Sequence, residues 1–298
     1  MKLNALSTDI FAVASVTIFD LLSNAKPAAA FGLVGLTDTN GLVLFDSSNP
    51  NSTTNVSVTG VDGSLLGIDR RPANDAIYGV TTTNKIYTIN PSTGVASFVN
   101  SLSAAFTGGF VSGVDFNPAA DRLRVVGAND QNFRINVDTG AVTVDGTLNP
   151  GDPSITAVAY TNADTDPNTG TTLYDIDFNS DALFRQNPPN NGTLETVGSL
   201  GIDIDSRGGF DIFTQNGVNS AIAALTPTSA SSSNLYNINL DTGAATLVGS
   251  IGNGNTRLVG LTAAPKPVPE PSLALGSLVG GGVLALLRRC RRRLKSVS

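Results

Sequence analysis

The chain has 298 residues, 41% of them hydrophobic, which is enough for a folded core and excludes an intrinsically disordered protein. It contains no histidine, so mechanisms that need a histidine base or a histidine metal ligand are excluded. Between residues 31 and 265 there are 21 acidic and nine basic side chains, and this net charge of −12 argues against a nucleic-acid partner.

Residues 1–30 have the layout of a signal peptide for export. Lys2 supplies a positive charge, residues 10–19 (IFAVASVTIF) form a short apolar stretch, and alanines at 28–30 fit a cleavage site before the next residue. Acidic residues at 9 and 20 flank the apolar stretch, which is unusual in such a segment. The alternative is a buried first helix or a wrongly assigned start.

From residue 31 to residue 265 the sequence is a tandem repeat. Residues 67–94 (GIDRRPANDAIYGVTTTNKIYTINPSTG) align with residues 113–140 (GVDFNPAADRLRVVGANDQNFRINVDTG) at an offset of 46. Each copy contains a turn that begins with Asn or Asp, which cap turns through their side chains, and most copies end this turn with Gly, which accepts a positive φ. These turns begin at positions 46, 90, 136, 187 and 239.

Each copy is predicted to contain four short strands. In the second copy these strands are predicted at residues 65–70, 76–81, 85–90 and 96–102. A four-stranded unit repeated every 44–52 residues is typical of a β-propeller blade, so we predict an all-β propeller of five blades over residues 31–265. Six small blades or a two-sheet sandwich are the alternatives.

The two ends of the body are predicted to share one blade. Residues 257–265 match the start of a copy, whereas the chain enters the body at residues 33–37 with what corresponds to a second strand. The C-terminal strand is therefore expected to complete the N-terminal blade, which removes two exposed sheet edges.

The body also resembles a bacterial β-propeller family that is a domain of unknown function. The resemblance is strongest over residues 113–142 (GVDFNPAADRLRVVGANDQNFRINVDTGAV). Members often carry signal peptides, and some carry sorting tails. The resemblance implies a propeller fold and export, but it implies no activity, because none is established for the family.

Three aspartates occupy matching positions in the predicted first strands, namely Asp69, Asp115 and Asp211. First strands line the central channel of a propeller, so these carboxylates are candidates for holding a cation or a sugar, or for serving a calcium-dependent hydrolase of glycosidase type. The alternative role is structural, because an aspartate near a strand end can accept hydrogen bonds from backbone amides of the next blade.

Three arginines of the third copy, Arg122, Arg124 and Arg134, form a candidate ligand-binding group. Guanidinium groups grip carboxylates or acidic sugars through two parallel hydrogen bonds. Several aspartates lie close to them in the sequence, so the alternative is a network of ion pairs within one blade.

A loop in the fourth copy, residues 162–172 (NADTDPNTGTT), is rich in oxygen ligands. Asp164, Asp166 and Asn168 stand at alternate positions, and Asp175 follows eleven residues after the first of them. Oxygen ligands at such a spacing can hold Ca²⁺, which makes calcium the candidate cofactor. The pattern departs from an EF-hand in its glycine and final glutamate, so a polar insertion between strands is the alternative.

The C-terminal residues combine three segments. Residues 266–272 are a proline-rich linker, residues 273–287 are apolar and predicted as a transmembrane helix, and residues 288–298 contain five arginines, one lysine and the only cysteine. The positive charges place this last segment on the cytoplasmic side. A chain with a single cysteine, in its tail, has no disulfide framework.

The motif Pro269-Glu270-Pro271, followed by these two segments, resembles a PEP-CTERM sorting signal. In that family an exosortase, a membrane protease-transpeptidase, processes the tail during export. The resemblance implies an exosortase partner and a transient stay at the inner membrane. A plain tail anchor is the alternative.

The sequence as a whole favours an exported, non-catalytic protein of the cell surface or extracellular matrix, which binds polysaccharide or another protein. Only 6% of the residues are aromatic and tryptophan is absent, so the chain lacks the rings that usually line a sugar-cleaving cleft. The calcium-dependent hydrolase and a purely structural matrix component are the alternatives.

Overall fold

The computed structural model describes residues 31–166 and 168–266. The predicted signal peptide (1–30) and the sorting motif with its transmembrane helix and basic tail (267–298) lie outside these residues. Within the described part of the chain, no helix has the length and apolar character needed to cross a membrane.

Twenty β-strands are present in the described residues. The first ten are β1 (Gly32–Leu36), β2 (Gly41–Asp46), β3 (Asn49–Ser57), β4 (Leu65–Arg70), β5 (Ile77–Thr81), β6 (Lys85–Ile89), β7 (Ala96–Ser101), β8 (Ser112–Asn117), β9 (Arg122–Gly127) and β10 (Asn132–Asn136). The other ten are β11 (Ala141–Val144), β12 (Ile155–Tyr160), β13 (Leu173–Asp177), β14 (Ala182–Gln186), β15 (Leu194–Ser199), β16 (Ile204–Gln215), β17 (Val218–Pro227), β18 (Asn234–Ile238), β19 (Ala245–Ser250) and β20 (Gly260–Ala263). A 3₁₀-helix, Pro189–Asn191, precedes β15.

These strands form five antiparallel sheets of four strands each, which are the blades of a propeller. Blades 2 to 5 each take four consecutive strands, from β4–β7 to β16–β19, whereas blade 1 has the order β20-β1-β2-β3. β1 pairs with β20 from Leu33↔Ala263 to Leu36↔Gly260, so the last strand completes the first blade. The five-bladed propeller and its closure are confirmed, and six blades or a sandwich are excluded.

The first strands of the blades pack side by side around a narrow channel. Small residues allow this close approach, because an added Cβ at Gly113 or Gly209 would lie 2.6 Å or 2.3 Å from a backbone nitrogen of the next blade. The free space left between the first strands is about 10 Å³, which is enough for about one water molecule. The centre of the propeller is therefore nearly closed.

Apolar side chains of adjacent blades meet in clusters that form the core. Tyr78 of blade 2 and Phe116 of blade 3, for example, have ring centroids 5.4 Å apart in an edge-to-face arrangement. Both rings are more than nine-tenths buried. Contacts of this kind stabilise the fold through burial of apolar area and through the preferred geometry of aromatic pairs.

The repeated turn between the third and fourth strands also contacts the preceding blade. Asn90 begins this turn in blade 2 and accepts hydrogen bonds from the amides of Ser92 and Thr93 at 2.9 and 3.1 Å. Gly94 ends it with φ 71°, and an added Cβ there would lie 2.0 Å from the carbonyl oxygen of Ser57 in blade 1. The glycines that approach the preceding blade in the same way are Gly140, Gly192 and Gly243.

Candidate functional site

The structure brings the three first-strand aspartates together at one end of the channel. Asp69 on β4, Asp115 on β8 and Asp211 on β16 are only 4–5% exposed. One carboxylate oxygen of each lies within 4.8 Å of the others, and no other group of three acidic, histidine or cysteine ligands occurs in the described residues. We call these three residues the channel carboxylates, and they are the residues best placed to hold a cation.

Each channel carboxylate also joins two blades. Each accepts a hydrogen bond from the backbone amide that follows the matching first-strand position of the next blade. These contacts join Asp69 Oδ2 to Phe116 N at 2.8 Å, Asp115 Oδ1 to Tyr160 N at 2.9 Å, and Asp211 Oδ2 to Ala263 N at 2.6 Å. The structural role predicted as the alternative, which is to accept a hydrogen bond from a backbone amide of the next blade, therefore uses one oxygen of each channel carboxylate.

Thr262 makes the equivalent contact in blade 1 with a hydroxyl group. It accepts from the amide of Arg70 at 3.1 Å and donates to Asp69 Oδ1 at 2.8 Å, so both oxygens of Asp69 are engaged. Ala159 stands at the same position in blade 4 and has no group to offer. Four of the five blade junctions are thus closed by a side-chain oxygen at this position.

Burial raises the pKa of all three channel carboxylates. For Asp69, desolvation and then the charge of Asp211 raise the pKa from 3.8 to about 7. Desolvation, followed by the charges of the other two, raises the pKa of Asp115 well above its ordinary value. Desolvation also raises the pKa of Asp211, while the amide of Ala263 and the charge of Arg70 lower it. The group therefore retains protons near neutral pH.

Arg70 and the end of the described chain lie at the same face of the propeller. Arg70 Nη1 donates to Asp75 Oδ1 at 2.7 Å, and the backbone amide of Lys266 donates to Asp75 Oδ2 at 2.7 Å. A cavity of about 250 Å³ lies here, lined by these three residues and by Asp164 and Thr214. The chain thus leaves the propeller at the end that holds the channel carboxylates.

The structure does not bring the predicted calcium ligands together. In the exposed loop, Asp164 Oδ1 accepts from the amide of Asp166, and Asp166 Oδ1 accepts from the amide of Asn168, both at 2.9 Å. Asp175 lies on β13 with no exposed area, because the strand begins immediately after the loop. The three aspartates do not form a joint ligand group.

Asp175 is the most isolated carboxyl group of the described residues. Neither of its oxygens has a hydrogen-bond partner there. Burial raises its pKa well above the ordinary value, and the charge of Arg124 opposes this shift. Burial without a hydrogen-bond partner therefore favours the protonated form of Asp175.

Two of the three candidate arginines belong to a buried ion-pair network. Arg124 is 1% exposed and donates to Asp145 Oδ2 at 2.7 Å, and Arg134 binds both oxygens of Asp145 at 2.6 and 2.8 Å. Arg122 Nη1 instead donates to the carbonyl oxygen of Asp121 at 2.8 Å. The remaining partners of Arg124 are Tyr160, Asn132 and Asn190. The guanidinium of Arg124 is consequently not available to a ligand.

A second cavity, of about 370 Å³, lies between β2, the end of β3 and the loop that precedes β20. We call it the blade-1 cavity. Its polar lining consists of Thr37, Asp38, Thr39, Asn55, Ser57, Asn255, Thr256 and Arg257. The sequence did not point to these residues, because isolated Asn and Thr residues some 200 positions apart form no recognisable spacing.

Comparison with known proteins identifies a family. A family model described as a domain of unknown function, DUF4394, matches residues 41–262. No curated protein matches the chain.

Several solved structures are similar to it. A structural genomics protein of unknown function from Bacteroides thetaiotaomicron VPI-5482 has a TM-score of 0.49 and 15% identity, covering 79% of this chain and 65% of that chain. An auxiliary nutrient binding protein from the same organism has a TM-score of 0.43 and 14% identity, covering 78% and 64%. Hydrazine synthase of Kuenenia stuttgartiensis has a TM-score of 0.41 and 11% identity, covering 65% and 51%. The chain thus spans at most 65% of the length of these structures.

Proposed function

We propose the following function from the residues of this chain itself. The chain belongs to the DUF4394 family, which is described as a domain of unknown function and therefore supplies no activity to start from. The protein is an exported propeller of the cell surface or extracellular matrix that binds its ligand without catalysis. Its tail holds it transiently at the inner membrane, where an exosortase-type enzyme reads the motif Pro269-Glu270-Pro271. Extracellular polysaccharide is the proposed binding partner.

The geometry of the channel is the observation that carries the proposal, because it supports a role without catalysis. Glycosidases place their two carboxyl groups roughly 5 to 9.5 Å apart, on either side of a sugar ring. One oxygen of each channel carboxylate lies within 4.8 Å of the others, each carboxylate is buried and bonded to the next blade, and the neighbouring space between the first strands is only about 10 Å³. A sugar ring does not fit between them.

The course of the chain supports an orientation for the attached protein. The amide of Ala264 donates to the carbonyl oxygen of Gly32 at 2.9 Å, so both ends of the described chain lie at the same end of blade 1. β1 runs away from this end, and the turn at residues 37–40 therefore lies at the opposite face. A propeller attached through its tail presents that opposite face, with the blade-1 cavity, to the outside.

Localisation of the full-length chain in a bacterium that contains an exosortase tests this proposal. An antibody against the propeller should label intact cells, and a chain that lacks residues 267–298 should instead remain in the periplasm, because it is exported but no longer sorted to the surface. A chain found intact in the cytoplasm, with its tail attached, would refute export and sorting. Release of reducing sugar from envelope polysaccharide, abolished by Asp115→Asn, would refute the absence of catalysis.

A further inference from the structure

We infer that the blade-1 cavity binds a neutral oligosaccharide. The inference rests on the proposed function, because it names the ligand class for the face that points away from the attached tail. It draws on three observations: the shape of the cavity, its unpartnered amide groups, and the pairing of its charges.

The shape of the cavity suits a short sugar segment. Its volume of about 370 Å³ falls at the small end of ligand pockets, which span roughly 300 to 1,000 Å³. Leu42 and Val43 of β2 offer it almost no side-chain surface, since both are buried in the core. The groups that the cavity presents are mainly neutral hydroxyls and amides, from Thr37, Thr39, Asn55, Ser57, Asn255 and Thr256. Such groups donate and accept hydrogen bonds, as the hydroxyls of a sugar do.

Two asparagine residues line the cavity from separate segments of the chain. Asn55 pairs through its backbone with β2, opposite Val43, and Asn255 lies in the loop that precedes β20. Neither side-chain amide has a hydrogen-bond partner among the described residues, and both residues are exposed. An amide offers a donor and an acceptor side by side, which matches neighbouring sugar hydroxyls that each donate and accept.

The charged groups at the cavity neutralise one another. Asp38 forms an ion pair with Arg207, and Arg257 forms an ion pair with Asp205. The cavity therefore offers no free charge for a carboxylated or aminated sugar. In addition, the net charge of −12 over residues 31–265 repels acidic polysaccharides at long range. A neutral ligand is therefore the class that the cavity can bind without breaking an ion pair or leaving a charge unpaired.

Binding at this cavity should be weak for a single site. None of the residues that line it is aromatic, so the stacking that dominates many sugar sites is missing. We expect a Kd on the order of 1 mM for a tetrasaccharide. A repetitive polysaccharide would then engage many propellers at once, which raises the overall affinity through multivalency.

Saturation-transfer NMR tests this inference by measuring the binding of maltotetraose and cellotetraose to the full-length chain. The chain is held in a detergent without a sugar headgroup. Tetragalacturonate and a chitosan tetramer serve as acidic and basic comparison ligands. At least one neutral tetrasaccharide should bind saturably, and more tightly than both charged ones. Asn55→Ala and Asn255→Ala should each weaken this binding about fivefold, as expected for one lost hydrogen bond.

Asn51→Ala is the matched control, because Asn51 is exposed on the same strand, β3, but does not line the cavity. It should leave binding unchanged, and all three variants should keep the wild-type Tm. Three outcomes would overturn the inference. They are that neither neutral probe binds saturably, that a charged probe binds more tightly, or that both cavity variants bind as well as the wild type. A chain that reaches the surface but fails this test refutes the ligand class alone, whereas an unexported chain refutes the proposed function.

Discussion

Asp115 shows how one side chain serves the fold while remaining a titratable group. Its Oδ1 accepts from the amide of Tyr160 in the next blade, yet the group lies beside two further carboxyls in a site with almost no solvent. The blade junction needs an acceptor oxygen at this position, and Thr262 demonstrates that a neutral hydroxyl meets the same need. The junctions therefore need an acceptor oxygen and not a negative charge, and the channel carboxylates can be charged only because aspartate supplies that oxygen.

The buried aspartates predict that the protein is more stable in mild acid than at neutral pH. A group whose folded pKa is raised contributes stability below its unfolded pKa and loses it as the pH rises through the folded value. For Asp69 this loss runs from about pH 4 to above pH 7, since its pKa rises from 3.8 to about 7. A shift of this size corresponds to on the order of 4 kcal/mol, which belongs to the coupled group of three carboxyls and not to Asp69 by itself. Urea denaturation at pH 5 and pH 8 should give the larger free energy of unfolding at pH 5.

Two substitutions at Asp115 separate its charge from its hydrogen bond. Asp115→Asn keeps an acceptor for Tyr160 and removes the titration of this one group, so the pH dependence should become smaller, with little loss of stability at pH 5, while Asp69 and Asp211 continue to titrate. Asp115→Ala leaves the amide without a partner and should cost about 1–3 kcal/mol at both pH values. Equal destabilisation by both variants at pH 8 would contradict this account, since it would mean that the negative charge itself is required.

At the scale of elements, the repeat made most of the propeller predictable. The strands expected in the second copy at residues 65–70, 76–81, 85–90 and 96–102 match β4 to β7 within one residue. They match because alternating side chains and turn residues are local signals. The long hairpin of β16 and β17 carried no such signal, since its extension depends on pairing with a partner strand.

The candidate sites were less predictable than the strands. The channel carboxylates share one position of the repeat, so topology alone brings them together. The spacing groups Asp175 with the loop ligands, but the loop ends early enough for Asp175 to enter a buried strand. The sequence predicts a ligand-binding role for Arg124 and Arg134, yet their shared partner Asp145 lies in a connection whose position no local pattern specifies.

The turn glycines should matter more through contact with the neighbouring blade than through their backbone angle. Gly140 has φ 72°, and an added Cβ would lie 2.1 Å from the carbonyl oxygen of Ser101. Gly201 has a similar φ of 73° but nothing within 4 Å, so it is a matched control. Gly201→Ala should cost about 1 kcal/mol for the backbone angle alone.

Gly140→Ala should cost clearly more, about 3 kcal/mol, because the two blades must also move apart. Chemical denaturation of both variants measures the difference. Equal effects of the two substitutions would show that the turn gives way without disturbing blade 2, and that close approach is not the reason for the repeated glycine.

At the scale of the whole molecule, β20 joins the two ends of the chain into a ring. It supplies the partner strand of β1, the hydroxyl of Thr262 and the amide of Ala263 that binds Asp211. Removing it exposes an apolar strand edge and opens two blade junctions at once. Closure is therefore expected to be a condition for cooperative folding, since each blade buries its apolar faces only against two neighbours.

Two truncated chains test this expectation. A chain that ends at residue 266 should unfold in a single cooperative transition, whereas a chain that ends at residue 256 should aggregate or lack a transition, as followed by circular dichroism and gel filtration. A synthetic peptide of residues 257–266 should restore the transition, because it can pair with β1. A monomeric, cooperatively unfolding chain without β20 and without the peptide would show that four blades and an open edge suffice. In that case the contacts of Thr262 and Ala263 would only adjust stability and would not determine whether the ring forms.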